Sequence, residues 1–218
     1  MTPRGAAAGG SRLPRAVQDC LPAAGPGFRA ALKKDPGAFP ALISRLLSEA
    51  AEVLGCGQEE ALFLTGFGRG DPTPGRLEAA LAELSAVLFL RSEGFSRIRP
   101  LERAAWPTAD VLAERGALTW AFEVRWVRDA GAAGAPKRLA AKCRRKSAQV
   151  GTSLKRSSAL RGGVVLVFGL PAPGPFSRSP ELDAAAGAAR SLAGLSGQVC
   201  LVSGSSAGFS PPWPAGGA

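Results

Sequence analysis

The stretch 107–128, P-T-A-D-V-L-A-E-R-G-A-L-T-W-A-F-E-V-R-W-V-R, constrains the fold more than any other part of the chain. A short alternating run over 109–114 meets a turn at Arg115-Gly116, and a second run rich in β formers follows over 118–127. That combination predicts a hairpin. Side chains alternate along a strand, so Trp120, Phe122, Val124 and Trp126 share one face, while Ala121, Glu123, Arg125 and Val127 share the other. If the two strands pair, Asp110 on the first is brought near Glu123 on the second. Two carboxylates on neighbouring strands make a hard, oxygen-rich site of the kind that suits Mg²⁺.

The elements around this hairpin read clearly in places. Phe39, Ile43, Leu46, Leu47, Ala50, Val53 and Leu54 recur at helical spacing, with Pro40 tolerable in the first turn and Gly55 as the stop, and a shorter helix follows over 58–65. The closely spaced glycines of 66–71 lack the lysine and the preceding strand of a phosphate loop and read as a connector. Residues 76–91 predict an amphipathic helix with Leu77, Leu81, Leu84 and Leu88 in one row, ended by Gly94. After the hairpin comes a Gly/Ala loop, then a helix opened by Pro136 with only a thin apolar stripe at Leu139, Ala140 and Cys143. Residues 163–169, G-V-V-L-V-F-G, have the continuous apolar character of a strand buried on both faces. A helix over 180–195, with Ser179 before it and Pro180 at its first position, and a strand over 198–203 complete the series.

Composition bounds the setting. The 218 residues leave room for one domain with a sizeable core and an appendage. The chain has no histidine, and Cys20, Cys56, Cys143 and Cys200 are too scattered for a zinc constellation, so a reduced, cytoplasmic protein is expected. No apolar stretch is long enough to cross a membrane, and the first residues lack the apolar core of a signal peptide. The formal net charge of +10 is concentrated: Lys137, Arg138, Lys142, Arg144, Arg145, Lys146, Lys155, Arg156 and Arg161 follow one another with no acid among them. Like charges at helical spacing destabilise an isolated helix, so this cluster points to a polyanion, with nucleic acid as the expected partner.

Asp110 followed by Glu123-Val124-Arg125, on a hairpin with one helix before it and a basic helix after it, resembles the core of the PD-(D/E)XK nuclease superfamily, the restriction-endonuclease-like fold. The resemblance implies an α/β protein whose αβββαβ core, built on a mixed central sheet, spans 75–204. Residues 27–74 then form a helical appendage and connector, and 1–26 and 205–218 are expected as disordered tails. It implies a Mg²⁺-dependent endonuclease acting on DNA, with Mn²⁺ as a substitute metal, and leaves a homodimer open. Asp110 and Glu123 would be the metal ligands, with the Val124 carbonyl as a third. Lys137, Arg138, Lys142, Arg144, Arg145, Lys146, Lys155 and Arg156 would line the nucleic acid.

Two departures bear on the chemistry. Pro107 precedes the aspartate by three residues rather than one, and Arg125 stands where the family usually carries a lysine. A guanidinium stays protonated and cannot serve as a base, although it can grip a phosphate. Only six lysines stand against twenty-one arginines, and four of the six fall over 137–155, so Lys142 and Lys146, one helical turn apart, are both candidates for the missing ammonium. Gln149, one turn further on, resembles the helix glutamine of some nuclease branches. Glu83 matches the acid that many members donate from the first core helix, with Glu78 as the alternative. For each of these the plainer readings are phosphate contact or a solvated helix face. Trp106, Trp120 and Trp126 could stack bases, but at strand spacing they read as core or rim. Two other functions stay open: a nucleic-acid-binding protein of the same fold that no longer cuts, and an α/β protein-interaction module.

Overall fold

Among the residues that the computed structural model describes (13–21, 24–68, 71, 73–101, 109–129, 131, 135–156, 159–169 and 171–214), seven strands form one mixed sheet with helices on both faces. The chain opens with α1 (Arg15–Cys20), α2 (Pro26–Lys34), α3 (Ala38–Leu54), α4 (Gln58–Leu64) and α5 (Arg76–Ser92). Three antiparallel strands follow: β1 (Ser96–Pro100), β2 (Val111–Arg115) and β3 (Leu118–Val127). Then come α6 (Pro136–Arg156), β4 (Arg161–Phe168), β5 (Ser177–Arg178), α7 (Pro180–Ala193), β6 (Gln198–Ser203) and β7 (Ser206–Ser210). The strands lie in the order β1-β2-β3-β4-β6-β7-β5. β4 is parallel to β3 and β6 to β4, as strands joined through helical crossovers must be, while β7 turns back antiparallel to β6.

The alternation along β3 decides what lies above and below the sheet. Trp120, Phe122 and Val124 pack with Ala82, Ala86, Phe89 and Leu90 of α5, and Val165 and Val167 of β4 extend that layer. On the opposite face Val127, Val164, Leu166 and Phe168 meet Leu139, Cys143 and Val150 of α6 and Leu182, Ala186 and Ala189 of α7. Full burial of one such side chain contributes roughly 1.5–3 kcal/mol. β4 is therefore buried on both faces, which is why its sequence is continuously apolar rather than alternating. Gly162 lets α6 approach the sheet closely: a Cβ there would run into the Val150 side chain and the Ala121 carbonyl.

Local signals close several elements as expected. Gly55 ends α3 at φ 68°, a left-handed cap that costs glycine little. The Ser179 hydroxyl accepts a hydrogen bond from the Leu182 N–H at 3.2 Å and caps α7, with Pro180 in its first turn.

Elsewhere the structure departs from the sequence reading. Residues 76–92 do not expose a polar face: thirteen residues of α5, including Glu78, Glu83 and Ser85, are buried. One side meets the sheet and the other meets α3, with Leu77, Ala80, Leu81, Leu84 and Leu88 sharing a cluster with Ile43, Leu46 and Leu47. The N-terminal helices thus complete the core that α5 begins. Part of the expected N-terminal tail is α1, where Ala16, Val17 and Cys20 are buried in the same cluster, a helix too short for its periodicity to register. Part of the expected C-terminal tail is β7, whose Ser, Ala and Gly become a strand because β6 offers an open edge. Trp213 beyond it packs against Phe95, Trp120, Phe122 and Phe209 and donates its indole N–H to Glu93 at 2.8 Å. Residues 1–12 and 215–218 lie outside the described residues, as does Trp106. Among the described residues no helix is long and apolar enough to cross a membrane.

Candidate active site

Asp110 sits one residue before β2, where the antiparallel ladder ends. Its N–H donates to the Phe122 carbonyl at 3.0 Å and its own carbonyl accepts from the Leu101 N–H at 2.9 Å, so its backbone is tied to both neighbouring strands. The carboxylate continues the ladder in place of a peptide group: Oδ2 accepts from the Val124 N–H at 2.7 Å. This anchor was not readable in the sequence, because period-two alternation gives the face of a side chain but not which amide an acid reaches.

Glu123 points from β3 to the α6 face, as the alternation requires, and is fully buried. Lys146 descends from α6 and donates to Glu123 Oε2 at 2.6 Å, with 18% of the lysine side chain still exposed. Glu123 Oε1 is buried with no hydrogen-bond partner among the described residues. Burial pushes the Glu123 carboxyl up to about 7, the Asp110 charge adds to that rise, and the Lys146 ammonium opposes it. The acid pair shares a hydrogen bond when Glu123 is protonated; ionised, it presents two acceptors to each other. Asp110 and Glu123 therefore converge, and Lys146 rather than Lys142 makes the direct contact.

Lys142 remains close by. Together with Arg125, Arg145, Lys146 and Gln149 it lines a hollow of about 280 Å³. Residues 142, 145, 146 and 149 fall at i, i+3, i+4 and i+7 and so share one face of α6, while Arg125 reaches the same hollow from β3, two residues beyond Glu123. The remaining cations are dispersed. Lys137, Arg138 and Lys155 are exposed, with Arg138 3.9 Å from Asp129. Arg144 is turned away and donates to the Leu192 carbonyl at 3.0 Å near the end of α7. The side chain of Arg156 lies outside the described residues.

The acids of α5 are occupied otherwise. Glu83 is buried with its Oε1 4.0 Å from Arg76 of the same helix. Glu78 accepts the Gly25 N–H at 2.6 Å and ties the start of α2 to α5. Trp120 is stacked on Phe122 in the core, and the Trp126 indole donates to the Gly169 carbonyl at 2.7 Å, so both serve packing.

A larger cavity of about 600 Å³ lies between the C-terminal half of α6 and the start of β4, with Pro211, Pro212 and Pro214 also lining it. Neither a carboxylate nor a lysine lines it.

Among the described residues no three acids, cysteines or histidines gather at one point, so the donor set offered to a metal is the carboxylate pair and whatever backbone or water joins it. That set fits Mg²⁺ in kind: it is all oxygen, and the buried Oε1 of Glu123 accepts from no donor among the described residues. Comparison of the chain with family models, curated proteins and solved structures finds no significant match in any of the three.

Proposed function

We propose that the protein is a Mg²⁺-dependent nuclease of the PD-(D/E)XK type, hydrolysing phosphodiester bonds of DNA at the site formed by Asp110, Glu123 and Lys146. The observation that carries the reading is the meeting of two carboxylates of the β2–β3 hairpin and a helix ammonium, with Lys146 Nζ 2.6 Å from Glu123 and Lys146 also lining a cationic hollow. The element order from α5 through β1, β2, β3 and α6 to β4 supports it, since it is the αβββαβ order of the restriction-endonuclease-like core. Four free cysteines agree with a reduced, cytoplasmic setting.

Asp110 and Glu123 would hold the ion. When bound, Mg²⁺ or Mn²⁺ polarises the phosphoryl oxygen and lowers the pKa of water. Asp110 is held in place by the Val124 N–H, so its carboxylate is oriented before substrate arrives. Glu123, which ordinarily loses its proton only near pH 7, must be ionised to serve as a ligand. Lys146 supplies the ammonium that the family places two residues after the second acid; it fixes the Glu123 carboxylate and can stabilise charge on the phosphate or orient the attacking water. Arg125 occupies the ordinary lysine position but opens into the hollow, where a guanidinium serves as a phosphate clamp.

The test is cleavage of circular DNA and of linear DNA with phosphorylated ends, with and without Mg²⁺ or Mn²⁺. Asp110→Asn, Glu123→Gln and Lys146→Ala are each expected to reduce cleavage by about a hundred- to a thousandfold, and Lys142→Ala by much less. A protein that binds DNA in a salt-dependent way yet cuts neither substrate with any metal would be the non-cleaving relative instead, which the cationic hollow would equally serve.

A further inference from the structure

The hollow beside Lys146 holds more positive charge than the proposed cleavage requires. The Lys146 ammonium is matched by Glu123 at 2.6 Å. In formal charge, the two carboxylates balance one divalent ion, and Lys146 balances the single charge of a phosphodiester. Arg125, Lys142 and Arg145 are then left over. They line the same hollow, no acid lines it with them, and none of the three has an acidic partner among the described residues.

The placement of this surplus identifies the anion. A strand lying along α6 would be met by cations strung out along the helix, as Lys137, Arg138 and Lys155 are. Lys142 and Arg145 are instead one turn apart, and Arg125 closes on them from β3 around a single concavity of about 280 Å³. Gathering like charges on one helix face destabilises the helix by itself, so the arrangement calls for a concentrated counter-charge. An internal phosphodiester carries one negative charge. A phosphomonoester carries about −1.5 to −2 near neutral pH and presents three oxygens, which suits two guanidinium forks and an ammonium. The Gln149 amide is in position to supply a further donor.

We infer that this hollow is a seat for the terminal phosphate of a nucleic-acid strand, so that the enzyme engages a phosphorylated end. The inference rests on the nuclease reading for its substrate and on the hollow alone for its anion.

Fluorescence anisotropy with the full chain in EDTA can compare short duplexes of one sequence bearing a 5′-phosphate, a 3′-phosphate or only hydroxyl ends. One phosphorylated end is expected to bind about tenfold tighter than the hydroxyl end. In Arg145→Ala and Lys142→Ala the ratio between the two should fall towards one, whatever happens to the overall affinity, and inorganic phosphate should lower that ratio in the unmodified protein. Equal affinity for phosphorylated and hydroxyl ends overturns the seat. The two readings fail separately. A preference for a phosphorylated end with no cleavage under Mg²⁺ or Mn²⁺ keeps the seat and removes the nuclease. Cleavage that treats circular, hydroxyl-ended and phosphorylated DNA alike, with no end preference in binding, does the reverse.

Discussion

The two helices that flank β3 carry opposite physical burdens. α5 is buried at thirteen positions, its polar residues included, and faces the aromatic side of the strand. α6 buries only Leu139, Ala140, Cys143, Val150 and Ser153 among its described side chains and carries eight lysines and arginines along its length. The strand between them is the same ten residues, read from its two sides. On the α5 side apolar and aromatic side chains pack against one another, and burial is favourable. On the α6 side a carboxylate is buried beside a second carboxylate, and burial is costly enough to move its proton affinity towards neutrality. The contrast lies within one strand: the α5 face holds the sheet together, and the α6 face carries a buried acid pair whose cost the rest of the fold must offset.

The largest effect expected is on the α5 face. Phe122→Ala removes a fully buried ring that packs against Phe95 and Trp120, and should destabilise the protein by about 3–5 kcal/mol in urea titrations. A loss under 1 kcal/mol would mean that this face is not the main source of cohesion.

The neighbouring substitution should act with the opposite sign and depend on pH. The Glu123 carboxyl titrates near 7 in the folded protein against an ordinary value of 4.5. Between those pH values the folded chain holds a proton that the unfolded chain has released. Stability is therefore present at low pH and declines as pH rises through that window. Glu123→Gln removes the titration, so its stability at pH 8 should exceed that of the unmodified protein by on the order of 2–3 kcal/mol, with the gap closing near pH 4. Equal stability at both pH values would show that Lys146 fully offsets burial. The same proton links to the metal: Mg²⁺ affinity of the unmodified protein, measured by calorimetry, should strengthen as pH rises through about 7.

Arg125→Lys is expected to have the smallest effect. With Lys146 already at Glu123, a second lysine on the strand should leave cleavage within a few-fold of the starting rate or raise it. Complete loss would assign Arg125 a specific role as a guanidinium.

Much of the α5 face was legible because its signals are local. The alternation of Trp120, Phe122, Val124 and Trp126 gave the aromatic face of β3, Gly55 gave the end of α3, and Ser179-Pro180 gave the start of α7. The full burial of α5 was hidden because its second covering layer comes from helices distant in the sequence. β7 was hidden for a related reason: a short Ser/Gly/Ala run has little strand character until β6 supplies hydrogen bonds.

For the site, the sequence alone determined which residues share the functional face: Glu123 and Arg125 on one side of β3, and Lys142, Lys146 and Gln149 one turn apart along α6. Periodicity fixes a face, and both lysines occupy it. Which of them meets Glu123 depends on how far the helix is shifted along the sheet, and that is set by long-range packing, with α6 resting on the bare backbone at Gly162 and on α7. Tertiary structure alone decided that Lys146 makes the ion pair, that Arg144 turns away to α7, and that Arg125, Lys142 and Arg145 close around one hollow.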